Sequence, residues 1–262
     1  MMELKIYIAN AFAGDRFGGN PAAVVPLQDW LSDELMQQIA AQNNLAETAF
    51  IVPQGNDFAI RWFTPTVEVA LCGHATLASA HIFFRHLGYG REQIRFHSGS
   101  GPLLVSKRPD GKLTLDFPAD EPVPADSSAF LEQGLKVKPI ELYKSSFDYL
   151  AILDGQDKIE RLSPDFGLLA KLPSRGVIVS AKGDQSDFVS RCFFPQSGID
   201  EDPVTGSAHT VMVPYWAARL GKSALTAVQL SKRRGYLDCA LQGDRVLMSG
   251  QAFTYLAGEI YI

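Results

Sequence analysis

One stretch of this chain occurs twice, and that repetition limits what the chain can fold into more than any other feature. Arg61-Trp-Phe-Thr-Pro-Thr-Val-Glu-Val-Ala-Leu-Cys72-Gly73-His74 leads into an apolar run that closes at Leu87-Gly88. Arg191-Cys-Phe-Phe-Pro-Gln-Ser-Gly-Ile-Asp-Glu-Asp202-Pro-Val-Thr-Gly206-Ser207 leads into another that closes at Leu220-Gly221. Arg, Phe and Pro recur at matching offsets (Arg61, Phe63, Pro65; Arg191, Phe193, Pro195), and Cys72 stands as far from Arg61 as Asp202 does from Arg191. A repeat of this period implies two related units, each a strand end, a loop and a helix start. A length of 262 residues accommodates two such units with a core apiece.

Composition excludes several classes of function. Hydrophobic residues make up 46% and charged residues 20%, with a net charge of −5, the balance of an ordinary globular protein. The single basic cluster, Lys232-Arg233-Arg234, reads as a solvated turn, so no nucleic-acid partner is expected. No apolar run reaches the ~20 residues that span a bilayer, and the start carries no secretory pattern. Cys72, Cys192 and Cys239 are scattered and lack metal-ligand spacing, which predicts a reduced, cytoplasmic protein with no metal site and no membrane association. Gly-x-Gly-x-x-Gly, phosphate-loop, His-Glu-x-x-His and Gly-x-Ser-x-Gly patterns are all missing, which demotes nucleotide, metal and serine-nucleophile chemistry.

The local pattern alternates short strands with few helices. Leu4–Ala9 and Ala22–Val25 predict a hairpin, and Ser32 with Asp33 and Glu34 predicts a capped helix reaching Asn43-Asn44. Glu47 opens the next strand. The run from Gly73 to Leu87 predicts a helix apolar on all sides and therefore buried, with Gly88 as its stop. Pro118, Pro122 and Pro124 mark a connection between units. In the second half a capped helix is expected over Ser163–Leu172 and an apolar helix over Asp202–Leu220, capped by Asp202 and kinked or interrupted at Pro214. The expected division is 1–117 and 118–262, with the final strand, 253–262, able to return to the first unit.

The repeated loop is suited to anions. The first turn of a helix exposes unpaired N–H groups and about half a positive charge, so two such turns facing each other across a cleft can hold an anionic small molecule without a cofactor. His74 and Ser207 fall in those first turns. Taken singly, each residue also has a structural role available: His74 satisfying a carbonyl, Asp202 capping, Ser207 bonding within its turn, Gly73 and Gly206 serving backbone geometry, and Glu47 an exposed residue at a strand end. His81 reads as a core histidine, and His209 is undecided.

Phe17-Gly-Gly-Asn20-Pro-Ala-Ala-Val-Val25, Glu47-Thr-Ala-Phe50, Arg61 to Glu68, Cys72-Gly-His-Ala-Thr76 and Glu201-Asp-Pro-Val-Thr-Gly-Ser-Ala208 together resemble the PhzF-like family of phenazine-biosynthesis-type isomerases. The blocks keep that family's order over most of the chain, departing at Asn10, where the family commonly has Asp. The resemblance implies an α+β fold of two pseudo-symmetric, diaminopimelate-epimerase-like halves. Each half is a curved, mostly antiparallel sheet wrapped around a central apolar helix. It also implies a cofactor-independent isomerase in which Glu47 moves a proton between carbons of a small anionic, cyclic or conjugated carboxylate. Gly73, His74, Asp202, Gly206 and Ser207 then line the substrate pocket, and the protein forms a homodimer.

Epimerases of similar architecture use two facing cysteines. Here Cys72 sits near the first such position but Asp202 occupies the second, which favours the isomerase over an amino-acid epimerase or racemase. A metabolite-binding protein without turnover remains the third reading.

Overall fold

The computed structural model describes residues 1–262, which divide into two compact units, Met1–Asp116 with Ser249–Ile262, and Phe117–Met248. The first contains β1 (Glu3–Ala11), β2 (Asn20–Pro26), α1 (Asp33–Asn43), β3 (Glu47–Gln54), β4 (Asp57–Phe63), β5 (Glu68–Val69), α2 (Gly73–Arg85), β6 (Gln93–Ser98), β7 (Gly101–Lys107) and β8 (Leu113–Pro118). The second contains β9 (Val123–Pro124), α3 (Ala129–Leu135), β10 (Glu141–Lys144), β11 (Asp148–Ile152), α4 (Gln156–Glu160), α5 (Phe166–Leu169), β12 (Gly176–Lys182), β13 (Phe188–Phe194), β14 (Ile199–Asp202), α6 (Gly206–Leu220), β15 (Ala224–Gln229), β16 (Gly235–Gln242) and β17 (Arg245–Gly250). The last strand, β18 (Ala252–Tyr261), belongs to the first unit and pairs antiparallel along the whole of β1, from Glu3↔Tyr261 to Ala11↔Ala252.

Both units share one plan. In the first, β1 and β2 form the expected hairpin, β2 lies parallel to β3 after the α1 crossover, β3 and β4 are antiparallel, and β4 lies parallel to β6 after the α2 crossover. In the second, β10 and β11 are antiparallel, β11 is parallel to β12, β12 and β13 are antiparallel, and β13 is parallel to β15 after α6. Alternation of antiparallel and parallel pairs at the same places in both halves is the structural form of the repeat.

Each unit buries its apolar helix against its own sheet. From Gly73 to Phe83 almost every α2 residue is buried, and the helix packs on β1, β2, β3, β7 and β18. Helix α6 is buried over most of Gly206–Ala217 and packs on β11, β15 and β16. Truncating Leu77 or Ile82, both fully buried, to Ala removes about 2–5 kcal/mol because the cavity left behind cannot collapse. No helix is long and apolar enough to cross a membrane.

Four local expectations change. Helix α2 stops at Arg85 with His86 as its C-cap, and Gly88 lies two residues beyond that cap at φ +66. Ser163–Leu172 contracts to the short α5, capped by Asp165, whose carboxylate accepts from Leu168 N. Asp202 does not cap α6: Thr205 is the N-cap residue, and Asp202 ends β14. Pro214 does not interrupt α6, which runs unbroken from Gly206 to Leu220. A proline at 214 orphans the Thr210 carbonyl one turn earlier. Here that carbonyl accepts from Asp120 N instead, at 3.1 Å.

Candidate active site

The N-terminal turn of α2 gathers the first set of groups. Asn20 opens β2 and Glu47 opens the neighbouring β3, so the parallel register places both beside the helix start that carries Cys72 and His74. Gly19 fixes the approach: it adopts φ +70, and a Cβ there meets Ala11 O at 2.3 Å, so only glycine delivers Asn20 to this point. Glu47, Cys72, His74 and Asn20 are all buried.

The His74 ring lies between three partners. Its Nε2 is 3.0 Å from Glu47 Oε2, its Nδ1 is 3.1 Å from Asn20 Nδ2, and Cys72 Sγ is 3.6 Å from the same Nδ1. The Glu47–His74 contact has ion-pair distance without hydrogen-bond alignment, and neither Glu47 Oε2 nor His74 Nε2 has a well-aligned partner elsewhere in the protein. Burial by itself works against a charge on His74, but the Cys72 sulfur and the Glu47 carboxylate outweigh it and hold the imidazole well above its usual pKa. Burial, reinforced by Glu47, pushes the Cys72 thiol up to about 11. Cys72 is therefore a neutral thiol at pH 7.

The corresponding turn of α6 carries different chemistry. Gly206 and Ser207 occupy the first two helical positions, as Gly73 and His74 do in α2. Asp202 Oδ2 accepts from Thr205 Oγ1 at 2.6 Å, and Gln229 ties the loop down by donating to Asp202 O at 2.7 Å and accepting from Thr205 N at 2.8 Å. Ser207 Oγ accepts from Arg175 Nη2 at 3.1 Å, which leaves its own hydrogen free to donate outward. Arg175 is in turn clamped by both oxygens of the buried Asp148.

The structure brings Glu47, Gly73 and His74 together at the start of α2 and places Asp202, Gly206 and Ser207 at the start of α6, and it adds Asn20, Arg175, Asp148 and Gln229, which the residue pattern did not single out, as their neighbours. The signal for Asn20 lay in its place after Gly18-Gly19; nothing in the local sequence marked Arg175, whose partners lie 27 and 32 residues away. His81 is half-buried rather than a core residue, with Nε2 2.9 Å from Thr254 Oγ1 and a pKa lowered mainly by burial to about 4. His209 is fully buried; its Nδ1 donates to Thr205 O at 2.8 Å, so Nε2 is a bare lone pair without a partner. A surface hollow of about 600 Å³ elsewhere in the first unit is lined by Asp57, Arg91, Glu92 and Arg95 and includes none of the groups around His74.

Residues 9–258 match the model of the family described as phenazine biosynthesis-like protein. The chain belongs to the phenazine biosynthesis-like, or PhzF, family. An uncharacterized isomerase of Pseudomonas aeruginosa is 51% identical over 259 residues, covering 99% of each chain. A crystal structure of a PhzF-family protein from Enterococcus faecalis superposes with a TM-score of 0.96 at 44% identity over the whole of both chains. A hydroxyproline epimerase from Agrobacterium vitis shares the fold with a TM-score of 0.63 at 10% identity, covering 98% of this chain and 92% of that one. The two-half α+β architecture of this PhzF-family chain is thus the one found among epimerases and racemases.

Proposed function

We propose that the chain is a cofactor-independent isomerase in which Glu47 alone moves a proton between carbons of a small anionic, conjugated or cyclic carboxylate. The observation that carries this reading is the Glu47 carboxylate, buried beside His74 at the positive end of α2 with Oε2 lacking a well-aligned hydrogen bond. A carboxylate in that condition is held in place but not used up. The family membership and the isomerase names of the relatives support the reaction class.

The chemistry grows out of the geometry. An anionic group arriving at the α2 N-terminus competes for the proton on His74 Nε2 and frees Glu47 Oε2. Glu47 then takes a proton from carbon, and the electron pair left behind spreads into the conjugated system of the substrate. Fixed donors at the helix start stabilise that charge. Return of a proton from Glu47 to a different carbon, after that proton has partly exchanged with solvent, completes the isomerisation with no oxidant, reductant or second base. Asp202, Gly206 and Ser207 are proposed to bind substrate, Ser207 by the hydrogen that Arg175 leaves free.

The cysteines support the isomerase over a thiol-based epimerase. Cys72 is a high-pKa thiol, and Cys192 and Cys239 are buried in β13 and β16 with pKa values raised by burial. The experiment is deuterium exchange from solvent into a panel of small unsaturated carboxylates, for wild type and Glu47→Gln. Exchange by wild type and its loss in the variant is expected; exchange that persists in Glu47→Gln overturns the role of Glu47, and no exchange with any candidate leaves the metabolite-binding reading in its place.

A further inference from the structure

Glu47, Cys72 and His74 follow no metal-ligand spacing along the chain, yet one donor atom from each comes within 4.8 Å of the other two. Carboxylate oxygen, imidazole nitrogen and thiolate sulfur are the three donor types Zn²⁺ prefers. An ion at the centre of a triangle of that size is within a sub-ångström contraction of the usual bond lengths of about 2.0–2.3 Å. The donors are also available: Cys72 occupies the N-cap position of α2 without making a side-chain cap bond, and Glu47 Oε2 and His74 Nε2 lack well-aligned partners.

We infer that this trio is an inhibitory site for a thiophilic divalent cation, Zn²⁺ above all, with a fourth position left to water. Two of the three ligands are anionic when bound, so they balance the charge of the ion at a helix end that on its own repels cations. Coordination converts the Cys72 thiol to thiolate and releases its proton to solvent, and any proton on the coordinating nitrogen of His74 leaves with it. Asn20 supplies the outer partner such sites require: its amide faces Nδ1, and turned over it presents Oδ1 to an Nδ1–H when Nε2 binds the metal. The second unit offers no equivalent, because Asp202 stands in the place of Cys72 and Ser207 in the place of His74. The inhibitory consequence rests on Glu47 being the base; the binding itself does not.

The experiment uses the intact protein, stripped with a chelator and titrated with Co²⁺ alone and then Zn²⁺ alone. Wild type is expected to take up one equivalent of Co²⁺ with a near-ultraviolet thiolate-to-metal charge-transfer band and the visible absorption of a tetrahedral site, and Zn²⁺ is expected to displace it and raise Tm. Cys72→Ser is expected to lose the band, with affinity falling by more than the roughly 10–100-fold that removal of an outer partner costs. His74→Gln, checked for folding by circular dichroism, is expected to weaken binding likewise, while Cys239→Ser keeps the band. A wild type without stoichiometric uptake, or a Cys72→Ser protein with an unchanged band, overturns the site. Because uptake is read by absorbance, it stands or falls independently of turnover. One equivalent of Zn²⁺ abolishing deuterium exchange, with recovery on chelation, then connects the site to the proposed reaction, and exchange unaffected at full occupancy overturns the inhibition.

Discussion

In the first unit Arg61 grips both oxygens of Glu68, at 2.7 and 2.6 Å, and lies 5.2 Å over the Phe63 ring; in the second Arg191 grips Glu201, at 2.7 and 2.8 Å, and lies 5.2 Å over Phe193. These are the Arg and Phe that made the repeat visible. Beyond that shared grip the two copies part. Helix α2 starts directly after Cys72 and places His74 against Glu47, whereas a longer β14 loop, held by Gln229, separates Asp202 from the start of α6 and leaves Ser207 facing Arg175. The two copies keep the frame that aims the helix and differ in the side chains at its tip, Glu47 against His74 in the first and Asp202, Thr205 and Ser207 in the second.

That contrast is most exposed to a pair of activity measurements. Glu47→Gln lowers the exchange rate about 10²–10⁴-fold, the usual contribution of a positioned general base. Asp202→Asn, which keeps an acceptor for Thr205 Oγ1, costs about tenfold and acts mainly on KM, the size expected for one weakened hydrogen bond to a charged group. Equal losses from both variants would erase the division of labour between the two tips.

The shared frame can be tested through stability. Arg191 and Glu201 have side chains only 12% and 18% exposed, against 26% and 42% for Arg61 and Glu68. Arg191→Ala therefore leaves a more deeply buried carboxylate unpaired and costs about 3 kcal/mol in denaturant unfolding, while Arg61→Ala costs about 1 kcal/mol. The reverse order would show that burial is not what separates the two copies.

Two of the three helix-borne histidines, His209 and His74, give opposite signs with pH. His209 has its pKa lowered by burial to about 4, so the unfolded chain binds the extra proton and stability falls as pH drops from 6.5 toward 4, by up to roughly 3 kcal/mol. His74, raised above 6.5, contributes stability that is complete below that pH and is lost as pH rises through its folded value. Urea unfolding from pH 4 to 9 measures both: His209→Gln makes the acid limb, which His81 shares, shallower, and His74→Gln removes the alkaline decline. The smallest effect belongs to Pro214→Ala. A proline inside a helix ordinarily costs ~3 kcal/mol, but with the Thr210 carbonyl already occupied by Asp120 N, the substitution shifts stability by no more than about 1 kcal/mol.

Much of this was legible in the residues because it is local. The strand and hairpin pattern, the Ser32 cap, the all-round apolar character of α2 and α6 and the stop at Gly221 each depend on a few consecutive side chains. Glu47 and His74 were readable as a set only through the order of the family's motif blocks, since no spacing along the chain announces their 3.0 Å contact. Long-range compensation escaped. The proline rule for 214 is sound, but the backbone N–H that cancels it belongs to residue 120; the cap rule for Asp202 is sound, but β14 pairs Asp202 with Cys192 and leaves the cap position to Thr205.

The partner of β1 has a consequence for how the protein is made. Strand β18 is synthesised only after all of Phe117–Met248, so a nascent first unit waits with one long edge of β1 unpaired while the second unit has already been made and is free to fold. The ribosome thus delivers the donor-bearing tip of α6 in a finished setting before the half that holds Glu47 can close its sheet. A chain stalled just short of residue 252 is expected to carry an open strand edge on β1, the feature that recruits chaperones or a neighbouring copy of the same chain.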